Sequence, residues 1–335
     1  MEHIAIDLGG RKSQICVRSS DGAIVVEQRR STSELGLWLA QRPSGRVILE
    51  TCAEAFAVAD AALQIGHEVR VVPATLVRSL GVGARGQKTD RRDAQVLSEV
   101  SCRIDLPSVH IPKLESRERK SMCGMRDALV RSRTLLINTV RGWLRGQAQR
   151  PRSGEAPTFV LRVRAMAAPR PPFIERQLDA IAALNEQIRA ADREVRQRVK
   201  ADPLCRRLMT VPGVGPVTAL RFVSAIDEIG RFANAHQVES YVGLVPGQSS
   251  SSDRERRTGI TKAGATALRT ALIQSAWAAR RSKRIDPLQQ WASGVEARRG
   301  KFVAACALAR KLAGILFALW RDGSIYEPSA SARLT

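Results

Sequence analysis

Aromatic side chains are scarce in this chain: five Trp, two Tyr and seven Phe amount to 4% of 335 residues. Few candidates therefore exist for the stacked-base platforms on which single-strand binders rely. Only four histidines are present, and the six cysteines, Cys16, Cys52, Cys102, Cys123, Cys205 and Cys306, include no Cys-x-x-Cys pair. That spacing disfavours a structural zinc site and suits reduced core thiols. Uninterrupted apolar runs are missing as well. The N-terminus enters an apolar strand at Ile4 without a signal-peptide layout. The most apolar late segment, residues 302–320, carries Arg310 and Lys311 at its middle, which points to a buried helix and away from a membrane span. Acid is also in deficit, with 32 Asp+Glu against 54 Lys+Arg, a formal net charge of +22 and a pI near 11.1. A polyanion is the natural partner, since the cations run along the whole chain. A membrane surface would compete for such charge, but no amphipathic anchor stands out.

The length predicts more than one domain. Residues 3–8 form a short strand ending at Gly9 and Gly10, residues 13–18 a second, and residues 23–28 a third after the turn at Ser20, Asp21 and Gly22. Helical periodicity follows at Leu35, Leu37, Trp38 and Leu39, then a buried strand at 46–50, a helix around 53–65, a strand at 68–72 and a helix starting near Asp90. A meander followed by strand–helix alternation is the order of an RNase H-like α/β domain.

Asp7 ends the first strand and Glu50 the fourth. If these strands are parallel neighbours, the two acids stand side by side at the carboxyl edge, where ligands of α/β sheets collect. Asp7 alone also fits a turn aspartate before Gly9, whereas Glu50, directly after Val47, Ile48 and Leu49, needs a partner to offset desolvation. In Lys88-Thr89-Asp90-Arg91-Arg92-Asp93, Asp90 suits a helix N-cap and Asp93 lies three residues on, sharing a helix face. Such a pair fits either a capped surface helix or half of a cation site.

Residues 114–145 are helical and strongly basic, with apolar positions at Leu129, Leu135, Ile137, Val140, Trp143 and Leu144; a solvated face and phosphate contact both account for the charge. Six prolines and glycines between 151 and 172 read as a linker or irregular insertion. Apolar residues then recur at Ile174, Leu178, Ile181, Leu184, Ile188, Ala191, Val195 and Val199, a stripe fit for a coiled coil or for packing within one chain. Pro212-Gly213-Val214-Gly215 between two helical stretches has the form of a helix-hairpin-helix, whose Gly213 and Gly215 permit a tight turn facing a phosphate; a purely structural hairpin is the other reading. Residues 246–264 then read as a polar loop of small residues, with Ser249 to Ser252 flanked by Arg254, Arg256, Arg257 and Lys262.

Asp7 after Ile4-Ala5-Ile6, Glu50-Thr51-Cys52, the segment from Gly66 to Pro73, and Lys88 to Ala94 together resemble the DEDD-type insertion-sequence transposases. Gly243-Leu244 with Pro246, the serine run, the arginines and Ile260-Thr261-Lys262 with Gly264 resemble the same family's C-terminal pattern. Two departures are local: Ala53 stands where the family often has glycine, and Gly9-Gly10-Arg11 precede Lys12. The resemblance implies a bacterial, cytoplasmic and nucleoid-associated DNA recombinase, of a family that includes the related pilin-gene invertases. Its RuvC-like domain would hold two Mg²⁺ ions, or Mn²⁺ in their place, through Asp7, Glu50, Asp90 and Asp93. Its serine nucleophile matches Ser251 by ungapped counting, with Ser250 the rival because Ser252 replaces the usual glycine. The implied partners are double-stranded DNA (element ends and target), a guide RNA and further copies of the chain as a homodimer or homotetramer, with the acids and the serine meeting between protomers. Lys88, Arg91, Arg92, Gly213, Gly215, Arg254, Arg256, Arg257 and Lys262 are the expected nucleic-acid contacts. The expected organisation is a RuvC-like mixed sheet with helices at 1–112, a basic helix, linker and central coiled-coil helix at 113–203, a mainly helical domain with the helix-hairpin-helix and serine at 204–325, and a disordered tail at 326–335. A junction-resolving nuclease using water and a non-catalytic DNA-binding protein are the rival readings.

Overall fold

The computed structural model describes residues 1–79, 89–167, 169–251, 254–282 and 286–328. It divides into two compact units, Met1–Pro112 and Lys113–Thr335.

The first unit is built on a five-stranded mixed sheet. β1 (His3–Asp7), β2 (Lys12–Arg18) and β3 (Ile24–Ser31) form the antiparallel meander; β4 (Arg46–Glu50) and β5 (Glu68–Val72) add to the other side of β1 in parallel, giving the order β3-β2-β1-β4-β5. Parallel addition requires crossover connections, supplied by α1 (Leu35–Ala40) before β4 and α2 (Ala55–Gln64) before β5. The two-residue pleat sorts the side chains. Ile4, Ile6, Val47, Leu49, Val69 and Val71 face α1 and α2, while Ala5, Ile48 and Val72 face the other way, onto Leu97 of α4 (Asp90–Arg103), Val77 of α3 (Ala74–Ser79) and Leu106. This is the mixed sheet anticipated for an RNase H-like domain.

The second unit is mostly helical. α5 (Leu114–Gly146) spans roughly 50 Å and lies antiparallel to α7 (Pro172–Ala201), as its partners show: Arg119 bonds Asp202, Arg126 bonds Asp192 at 2.5 Å, and Arg133 bonds Asn185 at 3.1 Å. The α7 stripe expected to form a coiled coil is thus spent inside the chain. Ile174, Leu178 and Ile181 are buried with Ile137, Val140 and Leu144, and Val195 and Val199 with Cys123. Residues 150–172 are likewise no open linker. Phe159, Val160 and Val163 of α6 (Phe159–Arg164) complete the same cluster, because three large apolar residues within five positions bury readily.

Beyond α7, α8 (Pro203–Leu208) turns into α9 (Pro216–Ile226), followed by α10 (Ala235–Val242), a hairpin of β6 (Pro246–Ser251) and β7 (Arg254–Ile260), and α11 (Thr266–Arg281), α12 (Pro287–Arg299) and α13 (Lys301–Asp322). α13 is long and apolar enough to cross a membrane, yet Leu308, Leu312, Leu316 and Phe317 are buried in the core with α9 and α11, as anticipated from its central Arg310 and Lys311. The tail expected to be disordered from 326 begins with an anchored residue. Tyr326 donates its backbone N–H to Thr210 and its hydroxyl to Asp286, each at 2.9 Å. Residues 329–335 lie outside the described residues.

Candidate active site

The carboxyl edge of the first unit's sheet is where the predicted acids lie. β1 and β4 run parallel with Ala5 opposite Ile48 and Ile6 opposite Leu49, so Asp7 and Glu50 occupy the next register position on adjacent strands, where strands stand about 4.8 Å apart. By the alternation of the pleat, Asp7 continues the face of His3 and Ala5, and Glu50 that of Ile48. This is the face α4 covers.

The docking of α4 sets the third acid. His3 Nδ1 pairs with Ser101 Oγ at 2.8 Å, and Leu97 packs in the cluster of Ala5 and Ile48. Four residues along a helix rise about 6 Å and two along a strand about 6.6 Å, so the two ladders stay in step. Continuing it from Ser101–His3 through Leu97–Ala5 brings Asp93 to the level of Asp7. Asp93 is accordingly buried, at 2% exposure.

Asp90 does not follow it. Its side chain is largely exposed and 4.0 Å from Arg29 of β3, whereas Asp93 is buried. The stripe facing the sheet is Asp93, Leu97 and Ser101, and Asp90 precedes it at the outer end of the helix. Nor is Asp90 the N-cap. Thr89 is, with extended backbone and its hydroxyl accepting from the Arg92 N–H at 3.3 Å. Arg91 is clasped by Glu27, with Nη2 to Oε2 at 2.8 Å, while Gln95 donates to the same carboxylate at 3.0 Å. The Arg91 hydrogen bond holds Glu27 below the usual carboxylate range. Arg92 is exposed, and Lys88 lies outside the described residues.

Asp7, Glu50 and Asp93 are all carboxylates, and Asp93 is buried. Hard divalent ions take such oxygen donors. The donor set fits a divalent metal chemically, although among the described residues no three His, Cys, Asp or Glu side chains stand together as a preassembled site.

The second unit holds the serine run. Where the sequence read as a loop, β6 and β7 pair antiparallel, with Ser251 opposite Arg254, Ser250 opposite Glu255, Ser249 opposite Arg256 and Gln248 opposite Arg257. Ser252 lies outside the described residues. The root of this hairpin is tightly built. Gly243 and Gly264 both have positive φ, and a Cβ on either would meet a backbone carbonyl, that of Ala263 or Tyr241. Lys262, exposed and itself at φ +57°, donates its N–H to the Gly243 carbonyl at 3.2 Å. Arg269, buried on α11, donates from Nη1 to the carbonyls of Val242 and Ala263, both at 2.8 Å, and from Nη2 to Thr266 at 3.1 Å. Sequence reasoning passed over Arg269 because a single arginine in an apolar helix carries no spacing signal; its only clue was lying five residues after Gly264.

In the α8–α9 turn, Gly213 has φ +81° and its Cα faces the backbone of Ser275 and Ala279 on α11, so its lack of a side chain serves close packing. Gly215, the N-cap of α9, has open space where a Cβ would be.

Comparison with known proteins finds two family matches along the chain. Residues 4–147 match a DEDD transposase family and residues 205–290 match the Transposase IS116/IS110/IS902 family. A probable family 20 transposase of Pseudomonas aeruginosa is 30% identical over 98% of this chain and 99% of its own length. The transposase for insertion sequence element IS1328 of Yersinia enterocolitica is 29% identical over 97% and 98%, and that for IS1111A of Coxiella burnetii 29% identical over 98% and 92%. An acid-bearing mixed sheet in the first unit and a braced, serine-bearing hairpin in the second thus occur in a chain that is similar over nearly its whole length to these transposases, and it belongs to the IS116/IS110/IS902 transposase family.

Proposed function

We propose that this protein moves an insertion sequence by cutting and rejoining DNA strands through a covalent link to Ser251. The observation that supports the reading is the docking of α4 on β1, in which Ser101 meets His3 and Leu97 packs with Ala5, so that continuing the same ladder leads from buried Asp93 toward Asp7 and Glu50. Asp7, Glu50 and Asp93, with Asp90 at the rim, would hold divalent ions, Mg²⁺ or Mn²⁺. When bound, such ions neutralise charge on the attacking and leaving oxygens at phosphorus.

Ser251 Oγ forms the new bond to phosphorus as the bond from phosphorus to the sugar oxygen breaks, and the proton leaving the serine hydroxyl is balanced by one taken up at the displaced oxygen. The phosphodiester's energy is kept in the phosphoserine link, and rejoining reverses the step. Ser251 is favoured over Ser250 by register, since it opposes Arg254, a cation suited to a phosphate, whereas Ser250 opposes Glu255. Arg256, Arg257 and Lys262 supply further charge, and the turn preceding α9 supplies backbone amides. The net charge of +22 suits both DNA and a structured RNA that selects the sites.

Incubation with element-end DNA and Mg²⁺ should give a protein–DNA adduct that survives denaturant, lost in Ser251→Ala and kept in Ser250→Ala. Strand cleavage without an adduct would instead show water to be the nucleophile. Mixing Asp93→Ala chains with Ser251→Ala chains should restore adduct formation if acids and serine act across protomers. Sequencing of RNA that co-purifies with the protein checks the guide.

A further inference from the structure

We propose that an arginine-lined recess at the carboxyl end of α5 binds the phosphates of a nucleic-acid backbone. The recess has a volume of about 370 Å³ and is lined by Arg141, Arg145, Arg150, Arg152 and Arg162, together with Gly154 and neighbouring loop residues. No Asp or Glu lines it among the described residues. Arginines elsewhere on the same helix pair are neutralised, Arg119 by Asp202 and Arg126 by Asp192, whereas among the described residues Arg141, Arg145, Arg150 and Arg152 enter no ion pair.

The recess is constructed around Arg162. Its Nη1 donates to the Arg152 carbonyl at 2.6 Å, its Nη2 to the Glu155 carbonyl at 2.8 Å and its Nε to the Thr158 carbonyl at 3.3 Å, so the loop after α5 is wrapped on a guanidinium. Gly154 packs directly on that group, where a Cβ would stand 2.7 Å from Nη1. Phe159 lies beneath Arg141 and Arg162, at 5.3 and 6.0 Å from its ring centre. Above, α5 closes with the Gln149 N–H bonded to the Leu144 carbonyl at 2.8 Å and Ala148 at φ +54°. Partial negative charge at that helix end steadies Arg145 but cannot offset five like charges. A ligand with several negative oxygens does so, and guanidinium forks match phosphate geometry.

The site rests on the reading that the chain handles nucleic acid, but not on the serine chemistry, and duplex DNA and folded RNA offer the same phosphates. The test is an Arg145→Ala/Arg150→Ala/Arg152→Ala triple variant of the full chain; all three residues are exposed, so folding is spared. Binding to a duplex DNA and to a stem-loop RNA is measured against salt concentration. The affinity should fall about tenfold or more, and the slope of log K against log salt should shrink by about one for each arginine that meets a phosphate. The triple lysine variant should recover most of the slope. Loss with DNA alone or RNA alone supports the site and identifies its source of phosphate. Unchanged affinity and slope with both would overturn it. If wild-type protein forms no adduct yet the triple variant still weakens binding, the serine chemistry fails and the site stands.

Discussion

Asp93 is buried on the face of α4 that covers the sheet, the face on which register places Asp7 and Glu50. On the reading that these acids hold divalent ions, Asp93→Asn removes one of the metal-binding carboxylates. Millimolar Mg²⁺ should raise the wild-type melting temperature and leave the variant's unchanged, since only a folded state that binds the ion gains from it. A thermal scan with and without chelator checks both. His3, which holds the far end of α4, is a second sensitive point. Burial, and then the Arg46 guanidinium, keep its ring below the ordinary 6.5. The folded state therefore resists protonation, and the stability it supplies is present above that value and lost as pH falls from about 6.5 toward the folded pKa. His3→Gln should flatten this part of the stability profile in urea melts. That Asp7 and Glu50 end strands and that Asp93 lies in the first turn of a helix could be read from the sequence, since strand ends and helix starts leave local marks. That Asp93 is buried while Asp90 is exposed could not, because it depends on where the sheet ends beneath α4.

Elements show where periodicity speaks and where it stays silent. The α7 stripe was plain, but its partner was not, since periodicity gives a face and never the surface that covers it. Leu178, fully buried against α5, should cost about 2–5 kcal/mol on truncation to alanine. Denaturant unfolding measures that cost, and sedimentation of the same variant should show oligomeric state unchanged if the stripe is spent within the chain. The hairpin of β6 and β7 escaped a sequence reading because serines and arginines lack apolar alternation; it is held from its root by the Gly243 and Gly264 turns and Arg269. Gly264→Ala should force that root apart, at about 1 kcal/mol or more. It should reduce adduct formation far more than DNA binding, which gel shifts on the same preparation would separate.

At the scale of the whole molecule, charge is the dominant property. A net +22 on 335 residues makes association with any polyanion strong and salt-dependent, so affinity for unrelated duplex should drop by orders of magnitude between 50 and 200 mM salt, roughly as for proteins with several phosphate contacts. A titration at four salt concentrations measures it. Composition made this legible at once, but it could not show that many of the arginines are consumed internally, as Arg119, Arg126 and Arg221 are by Asp202, Asp192 and Asp127. Only packing distinguishes a cation that braces helices from one left for a ligand.

The matched rise of α4 and β1 has a genetic consequence. A helix turns about 100° per residue, so one codon inserted between those for Asp93 and Leu97 would swing Asp93 off the sheet while Leu97 and Ser101 kept their seats. The protein would fold and fail to cut. Length changes within these four codons should therefore be far less tolerated in surviving copies of such an element than changes in the connection from Ile104 to Pro112, where no helical phase has to be preserved.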